Sequence, residues 1–248
     1  MAESPLLSPD NPLVKELRAL HKADGRRAAR AFLVEGRRAI DGFLATGMRP
    51  EVLLMPAGEA TPAGWPAARE ASQRVAARLS QSSTPSGWFA RFAIPDPGPI
   101  ELAAGGLVLA GIGDPGNAGT LIRSAAAFGV GQIAVIGGAD PWSHKVVQAS
   151  AGALAAVRIH ALDPAAGLAP LRGGAPLAAL VVAGGDDPAT VDGAARWLVV
   201  GSEAHGLPPE WLSAQDQRLT LPMPGTVESL NAAVAGAIAC YLLARPRR

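Results

Sequence analysis

The sequence predicts an α/β protein in two parts: a small α/β unit in front, and behind it a larger unit built on a parallel sheet. Three observations carry this reading. In the second half, apolar runs recur with helical segments between them: "GLVLAGI", "GQIAVIG", "AVRIHA", "APLAALVVA", "RWLVVGS" and "QRLTLPM". Most are apolar throughout, as strands covered on both faces are. The front part instead mixes short helical and strand periods, and the proline- and glycine-rich stretch "AIPDPGPIELAAGG" separates the two. The expected domains are therefore 1–95 and 96–248.

A chain of 248 residues, 49% hydrophobic and 17% charged, can bury a full core, and a disordered polymer is excluded. No apolar run approaches the roughly 18 residues of a membrane helix. The opening "MAESPLLSPDNPLVKEL" lacks the basic stretch and apolar core of a secretory leader, so a cytoplasmic protein is expected. The single cysteine, Cys240, cannot pair within the chain, and it reads as a small buried hydrophobe. No metal site is expected. Net charge is +1, but unevenly spread: residues 1–91 carry 13 basic and 9 acidic side chains, residues 92–248 carry 9 and 12. A basic front beside a mildly acidic back fits a nucleic-acid-gripping part joined to a catalytic one.

In order, "NPLVKELRALHKADGRRAAR" places Leu13, Leu17 and Leu20 at helical spacing, with Lys15, Arg18, Lys22, Arg26, Arg27 and Arg30 on other faces. "AFLVEG" reads as a strand, "RRAIDGFLATG" as a helix stopped by Gly47, and "EVLLM" as a strand. "RVAARLSQSSTPSGWFARF" reads as a helix and a loop. Behind the linker, helices are expected over 117–128, 143–154, 166–172, 188–194 and 228–244.

"GIGDPG", 111–116, matches the dinucleotide fingerprint G-x-G-x-x-G, and Asp140 follows about 20 residues on. Against that reading, Asp114 would face a pyrophosphate and Pro115 lacks the amide hydrogen that such a loop uses. A bland alternative is a tight turn with Asn117 capping the helix. A cap does not account for Arg123, a permanent charge in the small, apolar "GDPGNAGTLIRSAAAFG". A buried guanidinium needs an ion-pair partner or an anion. Two further stretches, "VVGSEAHGLP" and "LPMPGTVESLNAAVAGAIACYLL", each run from a strand end into a glycine-bearing polar turn. Open α/β sheets bind ligands at the carboxyl ends of their strands.

Together these stretches resemble the SpoU (TrmH-like) family of RNA 2′-O-ribose methyltransferases in the SPOUT superfamily. The resemblance rests on Asn117, Gly119, Arg123, Ala125, Phe128 and Gly129; on Gly201, Ser202, Glu203, Gly206 and Leu207; and on Leu221, Pro222, Met223, Gly225, Glu228, Ser229, Leu230 and Asn231. "VVQASAGALAAVRI" is similar to a family segment between the first two motifs, with Gln148 where a basic residue is usual. The front half resembles the family's RNA-binding domain through "NPLVK", "RRAARAFLVEG" and "MRPEVLLM".

The resemblance implies a parallel sheet with a C-terminal trefoil knot, and S-adenosylmethionine as cofactor. It also implies a homodimer with Arg123 supplied across the interface, and structured RNA as substrate, rRNA first and tRNA as the alternative. Arg123, Asn117, Glu203, Ser229 and Asn231 are the expected catalytic set. Gly201, Leu221, Met223, Leu230 and Ala183 are the expected cofactor contacts. Arginine stays protonated in proteins, so the role expected of Arg123 is to grip the phosphate beside the target ribose. A nucleotide-dependent oxidoreductase and a non-catalytic RNA-binding module are the competing functions.

Overall fold

Apolar runs of four to six residues are long enough for one buried strand each, and in a computed structural model each of the six in the second half contributes one. The structure describes residues 4–191 and 195–244. The front elements are α1 (Pro12–Ala19), α2 (Ala23–Ala29), β1 (Ala31–Glu35), α3 (Arg37–Ala45), β2 (Val52–Pro56), β3 (Arg69–Ala71), α4 (Gln73–Leu79) and β4 (Phe89–Ala93). After the linker come β5 (Gly106–Ala110), α5 (Pro115–Ala127), β6 (Gln132–Ile136), α6 (His144–Ser150), β7 (Arg158–Leu162), β8 (Leu177–Leu180), β9 (Trp197–Gly201), α7 (Pro209–Ser213), β10 (Gln217–Leu219) and α8 (Ala232–Ala244). No described helix is long and apolar enough to cross a membrane.

The chain forms two compact units, one of residues 1–96 with 142–155, the other of 97–141 with 156–248. The first therefore includes a segment from beyond the linker, which the sequence reading had assigned to the second part. α6 packs against β1, and the Trp142 ring lies 4.8 Å from that of Phe32. Val146, Val147 and Ser150 are fully buried there. A Cβ on Gly42 would meet the Cα of Gly152 at 2.9 Å, so two glycines let this segment lie against α3. α6 stops at Ser150, short of the expected 154, because Ala151 and Gly152 turn left-handed (φ 49° and 87°).

The sheet of the first unit has the order β1-β4-β2-β3, with only β2 and β3 parallel. β3 and β4 were not expected. β3 is three residues long, two of them charged, too short to show a period. β4, "FARFA", is read as a loop from sequence yet is central to the sheet. One face of this sheet packs Leu33, Leu54 and Phe89 against Val14 and Leu17 of α1 and Val75 and Leu79 of α4. The rings of Phe32, Phe43 and Phe92 form a second cluster, 5.2–5.9 Å apart. α3 ends as expected, with Gly47 at φ 87° donating its amide to Leu44.

The second unit carries a six-stranded, wholly parallel sheet, in the order β10-β8-β9-β5-β6-β7. A dinucleotide-binding sheet would place β8 beside β5. Here β9 takes that position, which removes the fingerprint reading at the level of topology. α5 and α8 cover one face: a Cβ on Gly236 would meet Leu121 Cδ2 at 2.4 Å and Val200 Cγ2 at 3.2 Å. The opposite face packs Val108, Ala134, Val199 and Trp197 under Leu168 and Leu171.

Two expected helices do not form among the described residues. Residues 166–172 form two short 3-10 turns, Pro164–Ala166 and Ala169–Leu171, broken by Gly167. At 188–191 the Asp187 carboxylate accepts from the Ala189 amide (2.9 Å) and its carbonyl from Thr190, a side-chain-stabilised turn that competes with helix. The remainder of that expected helix, 192–194, lies outside the described residues.

Candidate active site

The carboxyl ends of β5, β9 and β10 deliver the three polar turns to one end of the parallel sheet. α5 begins with Asp114, whose carboxylate accepts from the Asn117 amide at 2.8 Å, and with Pro115 at the first helical position, where a missing amide costs nothing. Asp114, not Asn117, is therefore the cap. The Asp-Pro pair was the available sequence signal for it. The same contact occupies the amide that a pyrophosphate would have used.

Asn117 is thereby released for another task. Its side-chain amide donates to Glu203 Oε1 at 2.6 Å, and its Oδ1 accepts from Asn231 Nδ2 at 3.1 Å. One side chain thus ties together the turns after β5, β9 and β10, across 86 and 114 residues of sequence. Asn231 in turn caps α8, its Oδ1 accepting from the amides of Ala233 (2.9 Å) and Val234 (3.2 Å). α8 therefore begins at Ala232, later than the expected 228, and Ser229 lies in the preceding loop. The starts of α5 and α8 are joined through Asn117 and Asn231, and their ends meet where Phe128 and Tyr241 lie 5.4 Å apart. The two helices thus run parallel, and their positive amino ends converge on the Glu203 carboxylate.

Beside this bridge lies a cavity of about 470 Å³, lined by residues that include Gly201, Glu203, Leu221, Met223, Ser229, Leu230 and Asn231. Seven of the ten expected site residues meet there. Ser202, which belongs to the second motif, lines it too; Leu180, Val182 and Ala235 also line it and were not singled out in the sequence, where nothing separates them from ordinary strand and helix apolars. Ala183 is not among the lining residues; Val182, just before it, is. Gly201 is required by the chain itself. Its Cβ would meet the Gly206 carbonyl carbon at 2.7 Å, because Ser202 and Gly206 exchange backbone hydrogen bonds of 2.8 and 3.1 Å in a tight return.

Arg123 corrects the expectation of a buried charge. It is exposed on α5, has no ion-pair partner among the described residues, and does not line the cavity. α8 also presents Val234, Ile238 and Tyr241, 39–47% exposed, at helical spacing. Cys240 is buried behind them, and desolvation pushes its thiol up to about 12, so it is chemically inert. Among the described residues no cluster of His, Cys, Asp or Glu can hold a metal ion.

Comparison with known proteins gives a consistent picture. Residues 106–241 match the SpoU rRNA methylase family model, and residues 11–90 match an MRM3-like substrate-binding domain. An uncharacterized tRNA/rRNA methyltransferase of Synechocystis is 31% identical over 95% of this chain and 92% of its own. A 23S rRNA uridine 2′-O-methyltransferase of Streptomyces viridochromogenes is 33% identical over 54% of this chain and 50% of its own. Across the curated relatives the matched share of their length runs from 29% to 92% and is about half in several. The crystal structure of an AdoMet-bound rRNA methyltransferase from Sinorhizobium meliloti is similar over 97% of both chains, with a TM-score of 0.82 and 27% identity.

Proposed function

Because the chain belongs to the SpoU rRNA methylase family, we propose that it transfers a methyl group from S-adenosylmethionine to a ribose 2′-hydroxyl of structured RNA, with rRNA as the substrate. The observation that carries this is the Glu203–Asn117–Asn231 bridge beside the 470 Å³ cavity. The cavity suits the cofactor: its size is in the usual ligand range, with apolar walls from Leu180, Val182, Leu221, Met223 and Leu230 and a few polar groups at one side. S-adenosylmethionine supplies a methyl on a positively charged sulfur. The chain's own work is to hold this donor, exclude water and set the 2′-oxygen in line.

In this reading Leu221, Met223, Leu230 and the backbone around Gly201 hold the cofactor, with Ala183 at its margin. Asn117 and Asn231 fix the three turns relative to one another, Glu203 closes the bridge, and Ser229 reaches the ligand from the third turn. Arg123 grips the phosphate beside the target ribose. A guanidinium is a poor base because it keeps its proton in proteins, so the work left to it is positional and electrostatic. Placing the oxygen and stabilising charge that develops on it are the terms that guanidinium donors supply.

A second copy of the chain completes the site by bringing its Arg123 to the cavity. The exposure of Arg123, its place outside the cavity lining, and the apolar stripe on the adjacent α8 support this. The first unit grips the RNA, the C-terminal segment forms the family's trefoil crossing, and the protein works in the cytoplasm. Transfer of labelled methyl groups to bulk rRNA tests the proposal. Arg123→Ala is expected to lower kcat by about 100-fold or more, the loss seen when one charge-stabilising donor is removed, while S-adenosylmethionine still binds by calorimetry. Undiminished incorporation by the variant would overturn the role of Arg123, and binding of NAD in place of the methyl donor would overturn the function.

A further inference from the structure

We propose that the end of the first unit where α1, β1, α3 and α6 meet is a contact surface for RNA phosphates, and that His21 and His144 within it take up a proton as RNA docks. This rests on the RNA-methyltransferase reading for the nature of the partner and adds where, and with what linkage, the partner is held.

The geometry begins with the two rings. His21 follows α1, His144 opens α6, and their rings meet edge to face, 6.3 Å apart. His21 Nε2 donates to the Leu79 carbonyl at 2.8 Å, which leaves Nδ1 without a proton; that atom is buried and has no partner. Nδ1 of His144 is buried and unpartnered as well. Glu35, 5% exposed at the end of β1, is close enough to act on both rings, but its Oε1 is engaged by the Ser80 hydroxyl (2.7 Å) and the Ser86 amide (3.2 Å). Buried Arg26 holds the carbonyls of Leu20 and His21 at 2.8 and 3.0 Å, so it fixes the backbone that carries the first ring.

Arg18 acts on the first ring, Lys22 and Lys145 are the chain neighbours of the two histidines, and Arg37 and Arg38 follow Glu35 by two and three residues; all five are exposed and none has an ion-pair partner among the described residues. Arg37 and Arg38 occupy the first turn of α3, after Gly36, which offers no side-chain cap. Cations at that end oppose the helix dipole. Internal stability does not account for such a placement, whereas phosphate oxygens satisfy the cations and the free amides together.

Burial holds both imidazoles below their ordinary value of 6.5. Arg18 and Arg26 depress His21 further, against which its hydrogen bond to the Leu79 carbonyl and the Glu35 charge both act; His21 in turn depresses His144, and Glu35 opposes that as well. A phosphate brought alongside adds negative charge, which favours the imidazolium form. The pair takes one proton from solvent, because two charged rings this close repel. RNA binding therefore tightens as pH falls toward and below 6.5.

Binding of fragmented ribosomal RNA to the full chain, measured at fixed salt between pH 7.5 and 5.5, tests this. The wild type should gain about fivefold in affinity on acidification, and the His21→Gln, His144→Gln double variant should lose that gain. Lys22→Glu with Arg37→Glu and Lys145→Glu should weaken binding by at least about 30-fold and flatten the salt dependence by roughly two to three counter-ions. The Gln versions, which keep the fold if the reversals do not, should fall between. S-adenosylmethionine affinity should not change in any of them. Wild-type affinity in the charge variants, or a pH gain that survives the double variant, overturns the proposal. A wild type that binds the methyl donor but no RNA at any pH overturns the functional reading, and this inference with it.

Discussion

The two ends of the parallel sheet treat their polar groups in opposite ways. At the amino end, Gln132 is 2% exposed and donates to the carbonyls of Glu101 (2.8 Å) and Gly105 (2.6 Å), while its Oε1 accepts from the Glu101 amide. Arg158 pairs with Glu101 at 2.9 Å. There, donors and acceptors are used up within the chain. At the carboxyl end, Asn117, Glu203 and Asn231 are joined beside an open cavity, and apolar side chains such as Leu230 are left 39% exposed. The first arrangement holds the sheet together. The second gives up stability to keep groups ready for a ligand.

The largest expected effect breaks the open end. Gly201→Ala puts a methyl 2.7 Å from the Gly206 backbone, which cannot yield without undoing the Ser202–Gly206 return. A displacement of that kind costs about 3 kcal/mol, so calorimetry should show S-adenosylmethionine affinity falling about 100-fold. A change under threefold would show that this turn does not shape the cavity. Gln132→Leu attacks the opposite end. It strands the buried Gly105 carbonyl and the part-buried amide and carbonyl of Glu101 and should cost about 2 kcal/mol, lowering the melting temperature by several degrees while leaving kcat at 25 °C intact. Loss of activity without loss of stability would erase the contrast between the ends.

A smaller effect is expected from Asn117→Ala. Its hydrogen bonds are solvent-exposed, so kcat/KM should fall about 10-fold, with cofactor affinity nearly unchanged. The mildest prediction concerns acid. His160 on β7 is 4% exposed, and burial, with Arg158 adding, holds it below 6.5; His21 and His144 are also depressed. The unfolded chain binds these protons more readily than the folded one. Their contribution is therefore fully present above pH 6.5 and is lost as pH falls through that value to the lower folded values. Thermal midpoints at pH 7.5 and 5.5 should differ accordingly, and His160→Leu should reduce the difference.

Much of this was legible along the chain. The six apolar runs of the second half gave the strands of one sheet, because a strand buried on both faces has no polar side to disguise it. The second and third motifs gave most of the cavity lining and the first gave Asn117, which joins them. β4 escaped because Arg91 interrupts its apolar residues and a loop-like stretch precedes it. Asp114 was set aside as an obstacle to a phosphate when it is the cap of α5. Arg123 looked buried because its neighbours are small and apolar, yet they pack inward while it faces out.

By itself the sequence determined the local content: which stretches are strands, where the glycines must turn, and which polar residues stand at strand ends. Periodicity and propensity act over a few residues, so they can be read without coordinates. Tertiary structure alone decided that β9 lies beside β5, that residues 142–155 complete the first unit, and that Asn117 joins turns more than 80 residues away. Those outcomes depend on which buried faces pair across the chain, and no local period records that choice.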